Sequence, residues 1–77
     1  MHETVAAPTR AEEIVVNGAP RAWRADLTLA DVLLEAGEDD ARVATAVNGC
    51  FVPRDVRATT PLDAGDAVLV FGAIVGG

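Results

Sequence analysis

A short segment, residues 28–37, carries signals for the start, the buried face and the end of one helix. Thr28 is followed three residues later by Asp31, the spacing of a capping box, and a carboxylate is favourable at a helix N-terminus. Gly37 supplies the left-handed residue that ends a helix. Apolar residues recur at helical spacing: Leu29, Val32, Leu33 and Ala36. Leu27, just before the helix, is placed to pack against Val32 as a hydrophobic staple. The chain therefore has one amphipathic helix, able to cover one face of a small sheet.

Two short strands before the helix are predicted to form a hairpin. Residues 13–16 are rich in β-branched side chains, residues 17–20 have the composition of a turn, and residues 21–25 return with alternating character. Trp23 lies in the returning strand. A single aromatic residue there is predicted to pack against its own sheet rather than to anchor a ligand.

A second hairpin is predicted after the helix. Residues 43–47 form its first strand, and Asn48-Gly49 supplies the left-handed backbone angles of a tight turn. Residues 50–52 form the return strand. Pro53 has no amide hydrogen to give to a neighbouring strand, so it is predicted to end that strand or to lie on a sheet edge.

The last strand follows a longer connection. Residues 54–61 are predicted to be irregular, and residues 62–66 have the composition of a chain reversal. Residues 67–71 are the most continuously apolar run, which predicts a strand in the middle of the sheet. The order of elements predicts an α+β roll, with a mixed sheet of four to five strands and one main helix packed on one face.

Size and charge exclude several classes of protein. A domain of 77 residues buries about 60% of its unfolded surface, so a large enclosed active site is not expected. The formal net charge is −6, with no lysine and six scattered arginines, which provides no basic stripe for nucleic acid. No apolar run reaches the roughly 18 residues of a membrane span. Because residues 1–11 also lack the pattern of a signal peptide, we expect a cytoplasmic protein.

Groups able to do chemistry are few. One histidine (His2), one cysteine (Cys50) and no lysine assemble no Cys-His or Ser-Lys pair. Cys50 is predicted to be a small, partly buried hydrophobic residue, and the presence of a single cysteine fits a reducing compartment. Glu38-Asp39-Asp40 is predicted to be a solvated acidic turn, a poor metal site without other ligand types. We therefore expect no enzyme activity, no bound cofactor and no metal.

The sequence ends in two glycines, Gly76 and Gly77. A frayed terminus is one interpretation of this pair. The other is a carboxylate that enters another protein's active site through a channel too narrow for any Cβ. An extended chain from Gly72 to Gly77 reaches nearly 20 Å at about 3.3 to 3.6 Å per residue. We predict a flexible N-terminal tail (1–11), a folded domain (12–73) and an extended C-terminal tail (74–77).

Several blocks of sequence occur together in a recognisable order and spacing. They span about residues 13–77: Ala46-Val47-Asn48-Gly49 with Val52-Pro53-Arg54, Leu62 with Gly65-Asp66, Val68 to Phe71, and Gly76-Gly77. This combination resembles the bacterial ThiS family of thiamine sulfur carriers, small β-grasp proteins related in fold to ubiquitin. The sequence differs from the family pattern at two places, which affect the expected choice of partner but not the reactive C-terminal end. The N-terminal tail is longer than usual, and Val56-Arg57 replaces an aromatic residue that some members have.

The resemblance implies a function centred on Gly77. An E1-like adenylating enzyme, using ATP and magnesium, would activate the Gly77 carboxylate, and a cysteine desulfurase or other donor would supply sulfur. The resulting thiocarboxylate would serve thiazole synthase, so the chain is a carrier and co-substrate with no catalytic residue of its own. Gly76 would give clearance, and Arg54 and Phe71 are predicted to contribute to docking. We expect the free protein to be a monomer.

Other functions fit the same ending. The small subunit of molybdopterin synthase shares the fold and the terminal chemistry, although that family often has prolines before its two glycines where this chain has Ala73-Ile74-Val75. Other thiocarboxylate sulfur carriers are a related alternative. A ubiquitin-like modifier would use the same glycines to form stable conjugates with lysines. A plain β-grasp interaction module would need no terminal chemistry.

Overall fold

The structure, a computed structural model, describes residues 12–72 as one five-stranded sheet with a helix packed on one face. The spatial order of the strands is β2-β1-β5-β3-β4; β1 and β5 are parallel, and the other neighbours are antiparallel. The predicted α+β roll is confirmed. The elements in chain order are β1 (Glu13–Val16), β2 (Ala19–Ala22), α1 (Leu29–Ala36), β3 (Val43–Val47), β4 (Cys50–Val52), a 3₁₀ helix (Arg54–Thr59) and β5 (Ala67–Gly72).

The first hairpin has a tighter turn than predicted. Asn17 and Gly18 alone form it, with φ of 51° and 86°, so β2 begins at Ala19 rather than at residue 21. Asn-Gly favours such two-residue turns because both positions need a positive φ. Pro20 is tolerated inside β2 because it lies opposite Val15, whose amide donates instead to the carbonyl of Asp66, the residue before β5 (2.9 Å). The pair therefore needs no amide hydrogen from the proline, which lies on an edge strand.

The helix begins and ends where the sequence predicts. The Thr28 hydroxyl accepts from the Asp31 amide at 3.2 Å, and the Asp31 carboxylate accepts from the Thr28 amide at 3.0 Å. Gly37 closes the helix in the left-handed conformation, with φ of 73°. The predicted capping box and stop are both confirmed.

The core lies between α1 and one face of the sheet. Its buried apolar residues come from the helix, from the strands and from the connections between them: Ile14, Val16, Leu27, Leu29, Val32, Leu33, Val52, Leu62, Val68 and Val70. Trp23 packs against this cluster, as predicted, and its indole N–H donates to the Leu62 carbonyl at 2.8 Å. β5 is central, as predicted, but it buries only alternate side chains because nothing among residues 12–72 covers the other face of the sheet.

The connection after β4 is helical rather than irregular. Residues Arg54–Thr59 form a 3₁₀ helix that follows Pro53, whose fixed φ of −62° suits the position before a helix. This helix carries Arg57, which is 2% exposed. The six arginines are scattered along the sequence, and nothing in that pattern predicts that this one is buried.

Arg57 is buried because acceptors surround its guanidinium group. Its Nε donates to the Thr45 hydroxyl (3.1 Å) and its Nη2 to the Val43 carbonyl (2.7 Å). Its Nη1 donates to both the carbonyl (2.8 Å) and the carboxylate (2.7 Å) of Asp40. Residues 38–40 are exposed, as the prediction of a solvated acidic turn requires, but Asp40 also takes part in an ion-pair network. Thr45 in turn donates to the Val52 carbonyl at 2.9 Å, which extends the network to β4.

Cys50 also differs from its prediction. It is exposed, not partly buried, because β4 is an edge strand and Cys50 is its first residue. Within residues 12–72, no helix is both long enough and apolar enough to cross a membrane.

The Arg57 network yields a stability prediction. Replacing Arg57 with alanine leaves buried acceptors without donors and should lower the free energy of unfolding by about 3 kcal/mol or more, measured by urea denaturation. Arg57→Lys should recover only part of the loss, because an ammonium group lacks the planar fork of donors. Arg54→Ala is the matched control, since Arg54 binds the same carboxylate from the surface and should cost less than about 1 kcal/mol. Equal losses for Arg57→Ala and Arg54→Ala would contradict the assigned role.

Candidate functional site

The central strand leads toward the predicted reactive end. β5 ends at Gly72, which is exposed, and its first two residues have strand neighbours on both sides. The predicted site residues Gly76 and Gly77 lie outside the described residues, as do the predicted tail 1–11 and residue 73. The described part of the site is therefore the strand that carries this segment and the surface around that strand.

An apolar patch covers the open face of the sheet. Phe51, Leu69 and Phe71 expose 66%, 50% and 50% of their surface, and we call these three residues the apolar patch. Ala46 lies directly opposite Phe51 on one side and Leu69 on the other, and it is itself buried. Directly paired residues point to the same face of a sheet, so the patch is continuous across β4, β3 and β5. Patches of this kind mark sites of protein association.

The two predicted docking residues have different surroundings. Phe71 belongs to the apolar patch, on the strand that leads to the C-terminal segment. Arg54 begins the 3₁₀ helix just beyond the edge strand, where its Nε donates to Asp40 at 2.8 Å. Its side chain is still mostly exposed, so it is accessible but already paired.

Sequence reasoning missed two members of the apolar patch, Phe51 and Leu69. The useful signal was the single amphipathic helix, because one helix covers one face and alternate residues of every strand must then face outward. The run from Ala67 to Phe71 hides this alternation, since both of its faces are apolar. A continuous apolar run is typical of a strand buried on both faces, whereas β5 is buried on one face only.

Asp40 is the electrostatic centre of the region beside the 3₁₀ helix. Hydrogen bonds from Arg54 and then Arg57 stabilise its charged form and hold the pKa of the carboxyl below its ordinary value. The Thr28 amide and hydroxyl similarly lower the pKa of Asp31 at the helix cap. Both acids therefore favour the folded state most strongly when they are ionised.

This network gives a pH prediction. Because the folded pKa of Asp40 lies below its unfolded value, its contribution to stability is complete above the unfolded pKa, near 4. The contribution is lost as pH falls through the folded pKa. Wild type should therefore exceed Asp40→Asn in urea midpoint at pH 7, and the difference should shrink steadily below pH 4. A difference that stays constant down to the acid limit would show that ionised Asp40 has no special role.

Between residues 12 and 72, no group of three or more histidine, cysteine, aspartate or glutamate side chains is placed to hold a metal ion. The thiol of Cys50 lies exposed at the start of an edge strand. The prominent features of this part of the chain are an apolar surface and a strand directed toward the C-terminus, which suit binding and delivery.

Comparisons with known proteins agree with this geometry. The sequence model described as the ThiS family matches residues 14–77. The crystal structure of the thiamine biosynthesis protein ThiS from Geobacter metallireducens is similar, with a TM-score of 0.73 and 25% identity over 84% of this chain and 99% of that one. A solution NMR structure of a thiamine biosynthesis protein from the same organism has a TM-score of 0.62 and 28% identity, over 84% of this chain and 86% of that one. No curated protein matches the chain.

Proposed function

Because the chain belongs to the ThiS family, we propose that it is a sulfur carrier for thiamine biosynthesis whose reactive group is the Gly77 carboxylate. The observation that carries the proposal is the central position of β5. This strand is fixed in the sheet, carries two of the three residues of the apolar patch, and is followed in the sequence by the segment that ends in Gly76-Gly77. The domain would act as a carrier and co-substrate, and other proteins would supply the catalysis.

The chemistry begins with activation of the carboxylate. A free carboxylate is a poor electrophile, so an adenylating enzyme with ATP and magnesium would convert Gly77 to an acyl adenylate and release pyrophosphate. The terminal sulfur of a persulfide, formed by a cysteine desulfurase or another donor, would then attack the carbonyl and displace AMP. A second thiol would cleave the resulting acyl disulfide, becoming a disulfide itself and releasing the Gly77 thiocarboxylate.

Thiazole synthase would consume the thiocarboxylate. Sulfur transfer to the thiazole precursor returns Gly77 to a carboxylate, so the carrier is regenerated for another cycle. Gly76 provides clearance, because a side chain next to the reacting carbonyl would collide with the wall of a narrow channel. If fully extended, the chain from Gly72 to Gly77 would reach nearly 20 Å at about 3.3 to 3.6 Å per residue, which would allow insertion while the domain stays outside.

The apolar patch is the proposed docking surface for the adenylating enzyme. Phe71 lies six residues before Gly77, so a protein bound to the patch would hold the carboxylate within reach of its own active site. Burial of aromatic side chains contributes strongly to protein interfaces. Arg54 would add a charged contact at the sheet border. Its contribution should be smaller, because its guanidinium group already pairs with Asp40.

The sulfur-carrier proposal predicts a defined change in mass. After incubation with the adenylating enzyme, ATP, magnesium and a persulfide donor, intact-mass measurement should show replacement of one oxygen by one sulfur. A variant with one residue added after Gly77 is the control, because it keeps the domain but moves the carboxylate, and it should gain no sulfur. Stable conjugates to lysines of other proteins would instead indicate a modifier.

Growth of a deletion strain tests whether the carrier serves thiamine biosynthesis. A strain that lacks the carrier should require thiamine for growth, and restoring this chain should remove that requirement. The extended variant should not restore growth. Rescue of a molybdenum-cofactor defect in place of the thiamine requirement would favour the molybdopterin synthase alternative.

Docking through the apolar patch predicts a selective effect on KM. Phe71→Ala should raise the KM of the adenylating enzyme for the carrier about tenfold and leave kcat nearly unchanged, because a hot-spot side chain contributes at least about 1.4 kcal/mol. Leu34→Ala is the matched control: Leu34 is 80% exposed, but it lies on α1, across the sheet from the apolar patch. Steady-state kinetics would contradict the proposed surface if the two variants behaved alike.

A further inference from the structure

The end of β5 has a strand neighbour on one side only among the described residues. On one side β3 pairs with β5 as far as Gly72, which lies opposite Val43. On the other side β1 ends at Val16, and its last pair with β5 is Val16 with Val68. The β1–β2 hairpin then turns away. The last residues of β5 thus extend past the end of the neighbouring strand, next to the segment that carries Gly77.

Asn17 fills part of this gap with its side chain. Its backbone amide donates to the Val68 carbonyl at 2.9 Å, in line with the strand pairing. Its side-chain oxygen accepts from the Val70 amide at 2.8 Å, and its side-chain nitrogen donates to the Val70 carbonyl at 2.9 Å. A carboxamide carries the donor and acceptor of a peptide group, so the side chain continues the β1 ladder by one more step.

The backbone of Asn17 explains why a side chain performs this task. Its φ of 51° is left-handed, as the tight turn requires, so the main chain cannot also run on beside β5. Asparagine is one of the few residues besides glycine that adopt this conformation readily. One residue therefore both turns the hairpin and holds Val70.

We propose that Asn17 is a positioning residue for the chemistry at Gly77. By holding both backbone groups of Val70, it fixes the point and direction from which the C-terminal segment leaves the domain. This inference rests on the proposed sulfur-carrier function. The apolar patch sets where the domain docks, and the Asn17 contact sets how Gly72 is oriented relative to that surface. Loading needs the Gly77 carboxylate to reach the reacting group of the partner in a defined position, and a displacement of about 1 Å at a reacting group can slow a reaction about 100-fold.

Asn48 provides a matched control within the same sheet. It also precedes a glycine in a tight turn, with φ of 50°, and its carboxamide also binds β5. Its oxygen accepts from the Ala67 amide at 2.9 Å, and its nitrogen donates to the Asp66 carboxylate at 2.9 Å. These contacts lie at the start of β5, about 17 Å from Gly72 at about 3.3 Å per residue. Loss of Asn48 removes a similar contact but leaves the exit of the strand unchanged.

The test compares Asn17→Gly with Asn48→Gly in the full chain. Glycine keeps the positive φ of each turn and removes only the carboxamide, so both variants should fold, with similar urea midpoints. Sulfur loading is followed by intact mass in single turnovers with saturating adenylating enzyme, ATP, magnesium and persulfide donor. Asn17→Gly should slow loading about tenfold or more with little change in KM, whereas Asn48→Gly should stay within about twofold of wild type.

Hydrogen exchange supplies a readout that is independent of activity. The Val70 amide should exchange faster in Asn17→Gly and stay protected in Asn48→Gly. Asn17→Asp keeps the acceptor and loses the donor, so its loading rate should fall between those of wild type and Asn17→Gly. Equal loading by the two glycine variants would overturn the positioning role while leaving the carrier function intact. Failure of the wild-type chain to gain sulfur would overturn the carrier function, and the positioning role with it.

Discussion

The buried guanidinium group of Arg57 stabilises the part of the domain that follows helix α1 in the chain. A charged group is costly to bury, and this one is tolerated because oxygens of Asp40, Val43 and Thr45 surround it. Throughout residues 12–72 no buried side-chain nitrogen or oxygen lacks a hydrogen-bond partner. The 3₁₀ helix, the loop before β3 and the β3–β4 hairpin are thus joined through one side chain. The geometry of the apolar patch depends on that junction, because β3 and β4 form part of it.

The sequence predicted features that neighbouring residues determine. The capping box at Thr28, the stop at Gly37 and both Asn-Gly turns each involve a few adjacent positions, and the structure has all of them. The central place of β5 followed from its composition. One local detail was wrong: the first turn uses two residues, not four, because Pro20 fits in an edge strand at a position that needs no amide hydrogen.

Features that depend on distant residues escaped prediction. Arg57 is buried only because oxygens of Asp40, Val43 and Thr45 surround its guanidinium group. The residues next to Arg57 in the sequence do not indicate these partners. The carboxamide of Asn17 binds Val70, 53 residues away, although its turn was evident. The exposure of Phe51 and Leu69 depends on how many layers cover the sheet. For the candidate site, Phe71 was predicted to contribute to docking, but only the strand register showed which neighbours share its surface.

The parallel pairing of β1 with β5 has a mechanical consequence. A partner that pulls on the segment after Gly72 loads β5 along its own axis, between β1 on one side and β3 on the other. The backbone hydrogen bonds of both ladders then resist together in shear, rather than opening one after another as in a peeled edge strand. Pulled along its axis, β5 is held at its first two residues by β1 and as far as Gly72 by β3, so several hydrogen bonds must break at once before the strand can slide.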